Sequence, residues 1–481
     1  MFFISAFRAF LFGLLMLVGS ASCFANLPEI GTAGASALTI DKEKEYGKAF
    51  SVMLRGGLPV IDDPVLVEYI SELGHNLVAN ADSVKFPFHF FLIKDDEINA
   101  AAFFGGYIKI HTGLFLYADN ESQLASVVAH EIAHVTQRHL ARMMEAQSRS
   151  NPATLAALAG SLLLTLVSPE AGMAMLQTSL AANMQASINY TRTHEFEADR
   201  IGIYTLSRSG YDPREMAGFF GKLSAQYRYA STPPQMLLTH PLPDTRVAES
   251  RSRAAQLPKV TIKPSLDFHL AKARIETRYS NRSAEGSLSH YDNQLKSQNY
   301  SVKEAALYGK ALALLQLERY QDAHIIIDQL IQNDGRNLFY LDVKTDLDLA
   351  QKNYDQAIAR LNTFYQQMPT NAVVAINLIN AYMEQKNYQA AAKVVDSFLR
   401  QKPNNALAWS MAIQVYQGLG NLSQAYQARA EYLALHGDYK RGIRELGSAL
   451  AETDNTLERA RIEAKIEQFK LSQAWLEELN G

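Results

Sequence analysis

The feature that most restricts this chain is a 34-residue period in its second half. Tyr320, Tyr354 and Tyr388 stand 34 apart, and Leu422 continues the series. Ala323, Ala357, Ala391 and Ala425 keep the same step, as do Pro369 and Pro403, with Gly335 and Gly437 in the equivalent places. Within the units, stretches such as Ala305–Leu317 and Gln321–Ile331 carry apolar residues at helical spacing. A small alanine lets two helices approach closely, and a proline or glycine stops the second before the next unit begins. Each helix pair can bury its apolar face only against a neighbour, so the units must stack and the outer ones must be capped.

That pattern is the tetratricopeptide signature. Four repeats are clear, and the helical segments 266–298 and 438–476 read as degenerate outer repeats or caps. The expectation is an all-α solenoid over 266–481 whose concave face holds a peptide or partner protein. The alternative is a dimerisation or packing module. Ala255–Ser265 reads AQLPKVTIKPS, and Pro258 and Pro264 mark a linker at 257–265. Residues 26–256 then form a separate domain.

Residues 1–25 read as an export signal. Arg8 is followed by an apolar run, Ala9 to Val18, then by small residues and a cut before Asn26. The run is short of the roughly 20 residues a membrane span needs. Lipid modification of Cys23 is the alternative, although Ser20 stands where a lipobox usually has leucine. Cys23 is the only cysteine, which excludes a disulfide scaffold, a four-cysteine zinc ribbon and a cysteine nucleophile. The net charge is −3 with no basic patch, which argues against nucleic acid as a partner. An exported chain free of cysteine fits the periplasm of a Gram-negative bacterium.

The chemistry sits in His130-Glu131-Ile132-Ala133-His134, an H-E-x-x-H motif. Asn120 is placed to cap the helix, with Gln123 in capping-box position. Residues i and i+4 share a helix face, so His130 and His134 can direct imidazole nitrogens at one ion. Zinc is the default metal for two imidazoles and a carboxylate. It lowers the pKa of a water it binds towards roughly 7, and Glu131 is placed to take the proton. With 12 histidines, chance alone yields the motif in roughly 2% of such chains. A solvent-facing histidine pair is the competing reading.

A third ligand must come from elsewhere. In Thr193-His194-Glu195-Phe196-Glu197-Ala198-Asp199, Glu195 and Asp199 are again i, i+4. One carboxylate can complete the metal site, and a second one turn on can accept the outer N–H of a ligand histidine. Read alone, the segment is better taken as a charged, solvated helix start; after H-E-x-x-H that becomes the lesser reading.

H-E-I-A-H followed by R-x-x-E-x-x-A-D resembles the metallopeptidases related to the CAAX prenyl protease. The resemblance covers residues 40 to 255 and includes Ile98-Asn99-Ala100 and Gly105–Leu114; Phe104 departs from it, standing where relatives often carry proline. It implies an α+β, mostly helical zincin-type domain with a small sheet, one zinc per chain, Glu195 as third ligand and Asp199 behind it. It also implies that His240, in Thr239-His240-Pro241, takes the fourth zinc position as a latch. Oxyanion stabilisation in catalysis and a surface role are the alternatives for His240. Arg246 either orients that loop or pairs with a site carboxylate. With an export signal in front and repeats behind, the chain resembles the branch of the family that acts on outer-membrane β-barrel proteins. That implies unfolded or stalled barrel proteins as substrates, and the barrel-assembly machinery and the lipopolysaccharide-export barrel as partners. It allows peripheral membrane contact.

Three further readings follow from the residues. Gly105–Leu114 alternates like a strand and is read as an edge strand that pairs with substrate backbone, against an ordinary core strand. His139 and His194 are read as structural or exposed rather than as ligands. Residues 151–189 are apolar, with Glu170 the only charged side chain, and suit a buried helical pair or a partner-touching flap. Two functional classes compete with the peptidase of barrel quality control. One is a binding chaperone with a latent metal site; the other is a general scavenger of unfolded periplasmic chains.

Overall fold

The computed structural model describes residues 38–150, 184–227, 235–261 and 263–480. The export signal with Cys23 and most of the apolar 151–189 stretch lie outside the described residues. Among those described, no helix is long and apolar enough to cross a membrane.

The first half is mostly helical around a small sheet. Helix α1 (Ile40–Gly57) starts at Thr39, whose side chain accepts from Lys42 N. Helix α2 (Pro64–Ala79) starts at Asp63, whose Oδ1 accepts from the N–H groups of Val65 and Leu66; Pro64 at the first turn forfeits no hydrogen bond. Strands β1 (His89–Ile93), β2 (Ala100–Ala102) and β3 (Tyr107–His111) follow, then the short α3 (Thr112–Tyr117). Helix α4 (Glu121–Thr136) carries H-E-x-x-H. Asn120 caps it by accepting from Gln123 N, and the Gln123 side chain reaches back to Asp119 N. Helices α5 (His139–Ser150), α6 (Met184–Arg208), α7 (Arg214–Tyr227), α8 (Gln235–Thr239) and α9 (Asp244–Ala255) complete this half.

The sheet order is β1-β3-β2, with β1 parallel and β2 antiparallel to β3. The segment read as an edge strand is therefore the middle of the sheet. Its second neighbour, β1, lies in Phe86–Ile93, a stretch too uniformly apolar to announce its register. The sheet's edges are β1, bridged on its outer side by Val60 to Ile93, and β2. Ile108 and Ile110 face the main core, and the opposite face packs Phe91 with Phe50 and Phe103, whose rings stack at 3.9 Å. Gly105 and Gly106, at φ 70° and 85°, form the tight turn into β3. A Cβ on Gly106 would sit 2.2 Å from the Pro87 carbonyl oxygen, so the turn requires glycine there whatever precedes it.

His111, at the end of β3, is buried with neither ring nitrogen hydrogen-bonded among the described residues, although Asp95 Oδ2 lies 3.4 Å from Nδ1. Burial, reinforced by Lys109, pushes its pKa down to about 4, against the opposing pull of Asp95. A folded-state pKa below the unfolded value means that stability is complete above about pH 6.5 and drains as pH falls towards 4. The expected loss between about pH 7.5 and about pH 5 is roughly 2 kcal/mol. Denaturation midpoints at the two pH values should fall further for the wild type than for His111→Gln; equal falls would refute the assignment.

From α10 (Leu266–Arg278) onward the chain is helical to Asn480. The units are α10 with α11 (Ala284–Ser297), α12 (Lys303–Gln316) with α13 (Tyr320–Asn333), α14 (Leu338–Ala350) with α15 (Tyr354–Gln367), α16 (Ala372–Glu384) with α17 (Tyr388–Gln401) and α18 (Ala406–Gly418) with α19 (Leu422–Leu435). Helices α20 (Tyr439–Ala451) and α21 (Thr456–Asn480) close the series. Ala323, Ala357, Ala391 and Ala425 are all buried where the paired helices meet. A second 34-residue series lies in the turns: Glu318, Lys352, Lys386 and Gly420 all take positive φ. The expected α+β half followed by an all-α repeat half is what the fold shows. The halves touch through α2, whose Glu68 accepts from Ala372 N, and whose capping Asp63 pairs with Arg274.

Candidate metal centre

Helix α4 is buried from Ser122 to Ala133, an unusual position for His130 and Glu131. Helix α6 packs along it and brings Glu195 and Asp199 to the same face. The short loop after α8 delivers His240. His130, His134, Glu195 and His240 each offer one donor atom, all within 4.8 Å of one another. His130 Nε2 lies 3.0 Å from His134 Nε2, 3.4 Å from Glu195 Oε2 and 3.4 Å from His240 Nδ1. His134 Nε2 is 3.4 Å from Glu195 Oε1, and His240 Nδ1 is 3.1 Å from both Glu195 oxygens.

Those separations fit a metal. A tetrahedron with ligands at roughly 2.0–2.1 Å from its centre has edges of about 3.3 Å. Three nitrogens and a carboxylate gathered at that spacing are poorly satisfied by each other. Charge points the same way. Burial pushes Glu195 up, yet His240, with hydrogen bonds from His130 and His240, holds it well below the ordinary carboxylate range. Burial pushes His134 well down, so its ring is neutral. Burial also opposes a charge on His130, but Asp199 and Glu195 prevail and raise it to about 10. A pocket that draws a proton onto a buried imidazole is short of positive charge, which is the charge a divalent cation would supply.

The surrounding residues orient this cluster. His130 Nδ1 is 2.9 Å from Asp199 Oδ1. Arg246 donates from Nε and from one terminal nitrogen to the two oxygens of Asp199, both at 2.7 Å. Its other terminal nitrogen donates to the Pro241 carbonyl at 2.7 Å and lies 2.9 Å from Glu195 Oε2. Arg246 thus lies against Asp199, Glu195 and the loop beside His240. Glu131 points into the same space. Both its oxygens are buried and hydrogen-bond to nothing among the described residues; the nearest charged partner is His240 Nε2 at 3.6 Å.

On the far side of His134, Nδ1 lies 2.9 Å from His139 Nδ1. His139 Nε2 is 3.3 Å from Glu197 Oε2, which also accepts from Arg142 at 2.9 Å. His194 stacks on His139, with ring centroids 4.2 Å apart and planes within 5°. Neither joins the four donors, and both are buried rather than exposed. The contact was hidden in the sequence because Arg138, at φ 54°, breaks the helix between His134 and His139.

Two surfaces border the centre. Ala102 of β2 and Phe103, just beyond it, line one cavity with His134 and Val135. Phe220, Leu223, Met236, Leu237 and Leu242 line an apolar pocket against His130 and His240.

Comparison with known proteins follows the same division. Residues 65–254 match the model of peptidase family M48, and residues 348–415 match a tetratricopeptide-repeat model. A relative from Vibrio cholerae serotype O1 is 46% identical over 450 residues, covering 93% of each chain. The β-barrel assembly-enhancing protease of Escherichia coli K12 is 44% identical over 93% of this chain and 92% of its own. Its Yersinia pestis counterpart is 43% identical over 92% and 91%.

Proposed function

This chain belongs to the β-barrel assembly-enhancing protease family and is a metalloprotease of family M48, and from that premise we propose how its residues divide the work. His130, His134 and Glu195 would hold a zinc ion, with Asp199 and Arg246 fixing His130 and Glu195. The observation that carries this reading is the gathering of four donors, those of His130 and Glu195 buried and those of His134 and His240 half-buried, beside a buried carboxylate without a hydrogen-bond partner among the described residues. When bound, zinc acts as a Lewis acid and brings the pKa of water towards roughly 7.

Glu131 takes a proton from the attacking water on a carboxylate oxygen and returns it to the departing amine, so that water and one peptide bond become a carboxylic acid and an amine. Its lack of a hydrogen-bond partner leaves both oxygens available for that transfer. Substrate backbone pairs with the free edge of β2, which runs past His134. Edge pairing reads main chain rather than sequence, so an extended, unfolded segment is required. His240 fills the fourth position at the cluster and acts as a latch, since its Nδ1 stands at ligand spacing from both His130 and Glu195.

The physiological reading is a periplasmic protein, exported by residues 1–25, that degrades stalled outer-membrane β-barrel proteins and promotes their assembly. The solenoid over 266–481 holds the protein partner. The barrel-assembly machinery and the lipopolysaccharide-export barrel are the partners proposed.

Residues 26–481 are expected to cleave an unfolded outer-membrane barrel protein, with cleavage abolished by a zinc chelator and restored by zinc. His240→Ala should cleave severalfold faster if His240 is a latch. A fall in rate would assign His240 to transition-state stabilisation instead, and chelator-resistant cleavage would remove the metal from the mechanism.

A further inference from the structure

We propose that His139 and Glu197 form a hydrogen-bond relay that fixes the ring of His134 in its metal-binding tautomer, making both positioning residues for the metal. This rests on the reading of His134 as a zinc ligand. His134 presents Nε2 to the donor cluster, so that nitrogen must carry a lone pair and the proton must sit on Nδ1. Nδ1–H then donates across 2.9 Å to His139 Nδ1, which must itself be unprotonated. The His139 proton therefore sits on Nε2, where it faces Glu197 Oε2 at 3.3 Å. A carboxylate only accepts, so each step of the chain has one permitted direction.

The relay is built rather than incidental. Arg142 anchors Glu197 from the second turn of α5, and Arg142 and Glu197 come from separate helices. His194 stacks flat on His139 and limits rotation of its ring. His139 is buried, so no bulk water competes for its nitrogens. His130 receives its support differently, directly from Asp199. The two histidines of the motif are thus oriented by separate partners: one by a carboxylate, the other by a carboxylate acting through a second imidazole. Outer partners of metal-bound histidines are worth about 10- to 100-fold in metal affinity.

Zinc affinity, measured on metal-free chain by competition with a chromophoric chelator, tests the relay without reference to proteolysis. His139→Leu keeps much of the volume and removes the acceptor; its affinity should fall about 10- to 100-fold. His139→Asn places Oδ1 near the former Nδ1 and should stay within a few-fold of wild type. Glu197→Ala frees the His139 tautomer and should weaken zinc severalfold. A packing role predicts the reverse order, with Leu equal to or better than Asn, and that order would overturn the relay. Unchanged affinity in Glu197→Ala would overturn it as well, and this variant decides the matter should His139→Leu fail to fold. Absence of zinc binding by wild type is a separate result, which would overturn the metal site itself.

Discussion

Glu131→Gln is expected to lower kcat/KM for an unfolded barrel protein by about 10²- to 10⁴-fold, the range lost when a general base is removed. The same variant should retain one zinc per chain. Glutamine matches glutamate in size, so α4 and its packing are preserved, but an amide cannot accept a proton at these pH values. Zinc retention follows because Glu131 is not among the four clustered donors. Stability should not fall, since the substitution removes a buried charge that has no hydrogen-bond partner among the described residues. A group costly to keep buried and unsatisfied is a candidate for function, where stability is commonly given up. Metal analysis alongside the cleavage rate separates the outcomes. A variant with full zinc and more than about a tenth of wild-type activity would exclude Glu131 as the base. The variant also discriminates between functions in the cell: a binding chaperone keeps its role without Glu131, whereas a protease loses it.

The parts legible in the sequence are those where one spacing maps onto one geometry. The i, i+4 pairs His130/His134 and Glu195/Asp199 lie on helix faces wherever those helices pack, and the 34-residue step survives in the stacked pairs. What stayed hidden depends on chain reversals and on neighbours distant in sequence. His139 lies five residues beyond His134, off the helical repeat, and reaches it only because Arg138 adopts positive φ. The strand from Tyr107 to His111 alternates as an edge strand would, but β1 is recruited from a run too apolar to show a period. The positive-φ series at Glu318, Lys352 and Lys386 is invisible to a search for glycine, because three of its four members carry side chains. Contact between the two halves was also beyond a sequence reading: Asp63 looks complete as a helix cap, and only the fold gives its second oxygen a partner.

That second oxygen underlies the largest expected effect on stability. Arg274 is 1% exposed, and its Nε donates to Asp63 Oδ2 at 2.7 Å. One terminal nitrogen donates to Tyr308 Oη at 2.9 Å, and the other lies 2.8 Å from Asp342 Oδ2. Tyr279 also donates to Asp63, and Asn377 to Asp342. Burial pushes Asp63 up, but Arg274 and then Arg278 hold it below its ordinary value, so the carboxylate stays ionised. One guanidinium therefore joins the cap of a peptidase helix to the third helix pair of the solenoid. Arg274→Met removes the guanidinium that both buried carboxylates contact, leaving Arg278 as the cation near them, and is expected to cost about 3–5 kcal/mol. In a chain of two halves this loss should appear as an earlier first thermal transition and as faster protease cleavage within 257–265. Zinc content should not change, because the metal cluster lies on other helices. Adding Asp63→Asn and Asp342→Asn to Arg274→Met should recover most of the loss, since asparagine still caps α2 and neither facing side chain is then charged. A single variant within about 1 kcal/mol of wild type, or a triple variant no better than the single, would show that the charges do not hold the halves together.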